Sequence, residues 1–206
     1  VELFTNWHSL AVAESGLRER LPEQTVGQLT EAIRFASGQH GGQRRPTGKP
    51  YLEHLLEALE VLVRGAGITS PDVLAAAVLH DVVEDTSCTS AQIAERFGRS
   101  VAELVSWVTI PEPAAGQDRS AVKQASLRRL AGAPRDAILV KLADRISNVQ
   151  TLRNLPLDRQ RAYYAQTVTY IVPLAAGEPW FRRWYQEWQA EHADLADNER
   201  ATQVSN

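Results

Sequence analysis

The chain has one cysteine, Cys88, and no methionine among its 206 residues. A single thiol excludes an internal disulfide framework and any cysteine-based zinc cluster. It points to an intracellular protein in which Cys88 is an ordinary loop thiol. The lack of methionine, at position 1 as elsewhere, leads to the expectation of a processed or trimmed N-terminus. No apolar run approaches the ~20 residues that cross a bilayer, and the opening VELFTNWHSL lacks a basic stretch followed by an apolar one. The expectation is a soluble, cytoplasmic chain without a membrane partner. An excess of positive charge is missing too: 22 Lys and Arg face 25 Asp and Glu, a net charge of −3 that offers no footprint for nucleic acid and leaves small ligands open.

Alternating strand patterns of five or more residues are also absent, whereas apolar residues recur at helical spacing throughout. The expected fold is all-α, a bundle of about ten helices over residues 7–20, 25–40, 51–65, 71–85, 90–97, 100–109, 120–131, 134–153, 158–176 and 178–197. Gly41-Gly42, Gly65 and Gly67, and Gly98 close helices, and Ser70-Pro71 opens one as N-cap and first turn. A hydrophobic content of 44% and a length of 206 residues suit one closed domain, with no repeat or linker that divides it. Its core is expected over about residues 25–176, followed by an aromatic-rich helix and tail over 177–206. In that helix Trp180, Phe181, Trp184, Tyr185 and Trp188 form a stripe that reads as packing or as a face for a homo-oligomer. Residues 111–118, PEPAAGQD, read as an exposed connector placed where a lid could sit. His8 and His192 read as solvent-exposed.

Against this apolar background, three polar intrusions stand out. In LHDVVEDT, residues 79–86, a histidine and three carboxylates follow the run VLAAAVL. A helix apolar on nearly every side is buried, and an unpaired buried carboxylate costs several kcal/mol, so a cation is needed nearby. On a continuous helix His80 stacks over Glu84 and Asp81 over Asp85, which suits a divalent ion and an activated water. The competing reading is a helix C-terminus whose acids face solvent. The second intrusion is Asp144, with Asn148 one turn on, inside AILVKLADRISN; alone, Asp144 reads as a partner of Arg145. The third is His54 in PYLEHLLEALEVL. Together His54, His80, Asp81 and Asp144 make a set of two nitrogens and two oxygens. Such a set favours Mn²⁺, Fe²⁺ or Zn²⁺ over Ca²⁺ or Mg²⁺ and leaves coordination positions for water or phosphate. Glu84 and Asp85 are then free to orient or deprotonate the water.

The order His54, His80-Asp81, Asp144 resembles the HD-domain metal phosphohydrolases. The words GKPYLEH, LHDVVEDT, FGRSVAELVSWVT and VKLADRISNVQTL resemble the hydrolase domain of the RelA/SpoT family, stand-alone small alarmone hydrolases included, over roughly residues 25–175. The 206 residues leave no room for the nucleotide-synthesising domain of the long members. The resemblance implies Mn²⁺-dependent hydrolysis of the 3′-diphosphate of ppGpp and pppGpp, the alarmones of the stringent response, with release of pyrophosphate. It implies His54, His80, Asp81 and Asp144 as metal ligands and Glu84 and Asp85 as the acids that activate water. It places Asn148 and Thr151 along the nucleotide pocket, and Arg45 and Thr47 on the loop against the base. His40 corresponds to a histidine common at the end of the family's second helix, read as a phosphate or outer-layer contact or as a helix cap.

Two positions depart from the family's pattern. Leu55 replaces a proline, and Pro46 stands where a lysine is usual, which removes a cationic contact to the base. An adenosine alarmone is therefore a second reading of the substrate, and the 2′-phosphate of NADPH on the same scaffold is a third. A module that senses an alarmone without cleaving it would need a degenerate site, and here no ligand position is missing.

Overall fold

A computed structural model describes residues 1–196, and within them the chain is all-α, as its periodicity predicts. The expected tail over residues 197–206 lies outside the described residues. Five α-helices build the first half: α1 (Leu10–Arg18), α2 (Glu23–His40), α3 (Tyr51–Glu60), α4 (Pro71–Leu79) and the short α5 (Val82–Asp85). Six more follow: α6 (Ser90–Phe97), α7 (Arg99–Val108), α8 (Arg119–Arg129), α9 (Arg135–Val149), α10 (Leu157–Gln166) and α11 (Pro179–Glu191).

The centre of the bundle is α4. Every residue from Val73 to Leu79 is buried, because α4 packs against α2, α3, α7 and α9 and so has no solvent face. Burying one Val or Leu of this kind contributes about 1.5–3 kcal/mol, and the all-apolar sequence of α4 is what a helix enclosed on all sides requires. Pro71 occupies the first turn as expected, but the Ser70 side chain makes no capping bond. Gly41 and Gly98 do close their helices with positive φ, a conformation that suits glycine.

Six expected helices are interrupted, two of them, over 120–131 and 178–197, only by a closing 3₁₀ turn at Leu130–Gly132 and Ala193–Leu195. The pattern over 71–85 predicts one helix, yet α4 stops at Leu79 and α5 starts at Val82. Between them the His80 ring nitrogen Nδ1 bonds the Ala77 carbonyl at 2.8 Å, the carbonyl that a continuing helix would give to the Asp81 N–H. Asp81 sits at φ −97°, ψ −5°, between the α and β regions. The helix over 51–65 ends in a π-turn at Val61–Gly65, and that over 134–153 yields to a short 3₁₀ turn at Leu152–Asn154. The helix over 158–176 passes from α10 into a π-turn at Thr167–Ile171 and a 3₁₀ segment at Val172–Gly177. Pro173, which has no N–H to donate, starts that last change.

The core extends beyond its expected limits of 25–176. Phe4 and Trp7 are buried, held by buried Glu60, whose carboxylate accepts the Asn6 and Trp7 amides at 3.0 Å each. Gln150 binds both backbone groups of Phe4. On α11, Phe181, Trp184, Tyr185 and Trp188 are buried, and Trp180 lies edge-on against Phe4. The Tyr185 hydroxyl donates to the Leu142 carbonyl at 2.8 Å and the Trp188 indole to the Val149 carbonyl at 3.1 Å. Hydrogen bonds from two rings of the aromatic stripe thus tie α11 to α9. His192, expected at the surface, is buried: it stacks on Trp188 and bonds its carbonyl. His8 is exposed. Among the described residues no helix is long and apolar enough to cross a membrane.

Candidate metal centre

Helices α3, α4 and α9 pack against one another, and each delivers polar groups to their junction. His54 comes from α3, His80 and Asp81 from the break after α4, and Asp144 from α9. The two Nε2 atoms lie 3.2 Å apart. Asp81 Oδ2 is 3.3 Å from His54 Nε2 and 3.0 Å from His80 Nε2; Asp144 Oδ1 is 3.4 and 3.5 Å from the same atoms. Neighbouring ligands on an ion with bonds of about 2.1 Å stand roughly 3.0 Å apart in octahedral and 3.4 Å apart in tetrahedral geometry. The His54, His80 and Asp81 atoms lie at separations that suit one ion, and Asp144 Oδ1 approaches both imidazoles within 3.5 Å.

The proton inventory points the same way. His80 Nδ1 faces a carbonyl, so it carries the proton and leaves Nε2 as a lone pair. His54 Nδ1 lies 2.8 Å from Ser147 Oγ, whose only proton goes to Glu57 Oε2 at 2.5 Å, so here too Nδ1 is the donor. With neutral rings, two lone pairs and two carboxylate oxygens converge with no donor among them. Protons stand in when no ion is there. Burial pulls both imidazoles down, but the Asp81 and Asp144 carboxylates outweigh it and raise His54, and still more His80, above the usual imidazole range. Asp81 and Asp144 are in turn held well below the usual carboxylate range: burial opposes this, and His80 for the one and Lys141 for the other lead the opposite pull. Protons hold the set together in the metal-free fold, and two nitrogens with two carboxylates are groups that can also ligate a metal ion.

An outer layer of partners holds the four residues in place. Lys141 Nζ pairs with Asp144 Oδ2 at 2.7 Å, and the Asn148 amide donates to Asp144 Oδ1 at 2.6 Å. The Tyr51 hydroxyl lies 2.6 Å from Asp81 Oδ2 and 2.9 Å from Asp85 Oδ2, and burial with these two acids pushes its pKa far up. The His40 ring stacks on Tyr51 at 4.5 Å; its Nδ1 meets Gln43 and its buried Nε2 has no partner.

The remaining predicted residues surround this centre. Glu84 accepts the Ile110 amide at 2.8 Å, and burial raises its pKa against the pull of that bond. It lines a cavity of about 390 Å³ with Ile110, Pro111, Arg119 and Lys123, so the connector at 111–118 borders the site. Asp85 is braced by Tyr51 and, through its carbonyl, by Gln43 at 3.0 Å. Because the helix breaks at residues 80 and 81, these acids belong to a separate element and do not continue two stripes of α4. Thr151 is half-buried at the end of α9, and Thr47 is exposed at the tip of the 41–50 loop. Arg45 turns inward: Nη1 pairs with Glu57 at 2.7 Å and Nη2 donates to the Ser147 carbonyl at 3.1 Å. Tyr51, Glu57 and Ser147 were not singled out from the sequence. Their signal is spacing: Tyr51 and Glu57 lie three residues either side of His54, and Ser147 lies three beyond Asp144.

Comparison with known proteins agrees with this geometry. The bifunctional (p)ppGpp synthase/hydrolase SpoT of Escherichia coli K12 is 35% identical over 158 residues, covering 75% of this chain and 22% of its own length. The guanosine-3′,5′-bis(diphosphate) 3′-pyrophosphohydrolase of Aquifex aeolicus is 35% identical over 153 residues, with 74% and 22% covered. The chain thus spans about a fifth of the length of these curated relatives. Among solved structures, a metazoan orthologue of SpoT that hydrolyses ppGpp and plays a role in starvation responses superposes with a TM-score of 0.72 at 28% identity. That match covers 80% of this chain and 95% of the other. The HD domain itself matches residues 32–178, from within α2 to the start of α11, and takes in all four converging residues: the chain belongs to the HD-domain family.

Proposed function

We propose that this chain hydrolyses ppGpp and pppGpp at the 3′-diphosphate. Water adds to the phosphorus joined to the ribose 3′ oxygen, that P–O bond breaks, the 3′ oxygen takes a proton, and pyrophosphate leaves. The observation that carries the reading is the meeting of two imidazoles and two carboxylates at one buried junction, in a family whose similar members bear this activity in their names. A divalent ion held by His54, His80, Asp81 and Asp144 supplies Lewis acidity toward a phosphate oxygen and lowers the pKa of water. Mn²⁺ is the ion we assign, with Zn²⁺ and Fe²⁺ as alternatives for the same donor set.

The chain's own groups handle protons and orientation. Glu84, made more basic by burial, suits proton abstraction at neutral pH, and Asp85 stands beside it with its Oδ2 held by Tyr51. Asn148 and Thr151 border the nucleotide at the end of α9, and Thr47 presents the loop toward the base. One observation favours an adenosine alarmone as a second substrate. Pro46 occupies the first corner of the Arg45–Gly48 turn, whose closing bond is 2.8 Å, so no cation follows Arg45 where a base would lie.

A product-resolved assay of the purified chain tests this against ppGpp, its adenosine analogue and NADPH, with Mn²⁺, Zn²⁺ and Fe²⁺ compared. Pyrophosphate from either alarmone is expected. Inorganic phosphate from NADPH alone would move the reaction to the 2′-phosphate, and no turnover with metal bound refutes the proposal. The double change Glu84→Gln and Asp85→Asn is expected to lower turnover by at least ~10²-fold while metal and nucleotide binding persist.

A further inference from the structure

We infer that Arg45, Glu57 and Ser147 are positioning residues that act on the metal through His54, so that the arginine of the 41–50 loop serves the ion rather than the base. The inference rests on the metal reading of His54. Glu57 is 4% exposed and Ser147 fully buried, deep for a carboxylate and a hydroxyl. Their hydrogen bonds run in one direction: His54 Nδ1–H donates to Ser147 Oγ at 2.8 Å and Ser147 Oγ–H to Glu57 Oε2 at 2.5 Å. Arg45 Nη1 holds the same Oε2 at 2.7 Å. Arg45 Nη2 grips the Ser147 carbonyl at 3.1 Å, so the guanidinium clasps both Glu57 and the Ser147 backbone.

Each link fixes the next. The Glu57 carboxylate requires a proton from Ser147, which leaves Ser147 Oγ only as an acceptor for His54. That choice sets the His54 tautomer and points its bare Nε2 at the ion. The carboxylate at the far end makes the imidazole a stronger donor of electron density to the metal. Arg45 neutralises that buried carboxylate, and both of its terminal nitrogens are engaged inward, on Glu57 and on the Ser147 carbonyl. A salt bridge that merely ties the loop to α3 would affect stability alone. A positioning role reaches metal affinity.

The test uses metal-free protein titrated with Mn²⁺ by calorimetry, with thermal unfolding as the control for folding. His54→Ala comes first: if the unaltered chain binds no Mn²⁺, or His54→Ala binds it equally well, the metal reading itself fails, whatever the relay does. Given that His54-dependent binding, Ser147→Ala is expected to weaken Mn²⁺ by about 10–100-fold. Unchanged affinity in that variant overturns the inference. The double variant Arg45→Met/Glu57→Met removes both charges, so neither is left buried alone, and is expected to weaken Mn²⁺ to a similar degree. Adding Ser147→Ala to it is expected to change affinity by less than about threefold, because one relay has already been broken. At saturating Mn²⁺ the double variant should keep the guanosine-to-adenosine ratio of kcat/KM within about twofold. A change of tenfold or more, about 1.4 kcal/mol of base discrimination, assigns Arg45 to the base and refutes the inference.

Discussion

Replacing Lys141 with methionine removes one charge from the centre and changes little else. Lys141 lies three residues before Asp144 on α9, its ammonium 2.7 Å from Oδ2, with both side chains at most 10% exposed. Lys141 is the leading attraction that holds the Asp144 carboxylate ionised in the metal-free site. Lys141→Met leaves that carboxylate without its ammonium partner. Breaking a buried pair from one side costs about 3–5 kcal/mol. At about 2–4 °C per kcal/mol for a chain of this size, metal-free protein should lose roughly 6–20 °C in Tm. A divalent ion reverses part of this, because it now binds a site one charge more negative. At about 100 times its Kd an ion adds ~2.7 kcal/mol, and at equal concentration the gain should be larger in the variant. Differential scanning calorimetry in chelator and across a Mn²⁺ series measures both quantities. If Lys141→Met lowers the metal-free and metal-loaded transitions equally, Lys141 does not belong to the charge balance of the centre, and the reasoning fails.

Two further outcomes follow from the same structure. His54 and His80 have raised pKa values in the metal-free fold, so the stability they give is complete below about 6.5 and is lost as the pH rises through those raised values. The depressed Asp81 and Asp144 contribute in the opposite sense, above the ordinary carboxylate range, and lose their contribution only as the pH falls through their lowered values. Metal-free protein should therefore show a Tm that declines as the pH rises through the raised imidazole values, and saturating Mn²⁺ should remove the decline; a decline of equal size with and without Mn²⁺ would contradict the imidazole argument. Trp188→Ala should cost about 3–5 kcal/mol, since the ring is fully buried between Tyr164 and His192, yet leave Mn²⁺ affinity within about threefold at low temperature.

His80, Asp81 and Asp144 stood out in the sequence as polar residues in apolar helical runs, where burial without a cation is too costly. His54, on an amphipathic helix, joined them as a candidate by residue type, and the structure brings all four side chains together. The outer layer depends on which helices touch. Glu57 and Ser147 each look like an isolated polar position until α3 and α9 are packed together, so spacing alone does not pair them. The continuity expected over 71–85 failed for a local reason: a histidine side chain competes for a helix carbonyl, and periodicity carries no trace of that. Phe4 and Trp7 went unassigned to the core because both precede the segment 25–176 in which it was expected. His192 was misplaced because the aromatic surface it stacks on exists only once α11 is formed.

The interruption after α4 also has a mechanical side. Glu84 and Asp85 ride on four residues of which only Val82 is buried, a segment too short to hold its own position. Its orientation is set from outside, by Gln43 of one loop on the Asp85 carbonyl and by Ile110 beside the other loop on the Glu84 carboxylate. His54, His80, Asp81 and Asp144 are anchored in the bundle, whereas the acids that would handle water lean on two surface segments, with Tyr51 of α3 on the Asp85 carboxylate. Any movement of either segment, on nucleotide entry or release, must carry an acid with it or break the bond that aims it. Substrate entry and proton transfer therefore share one moving part, and substitutions in loops that never touch the ion can still change the rate.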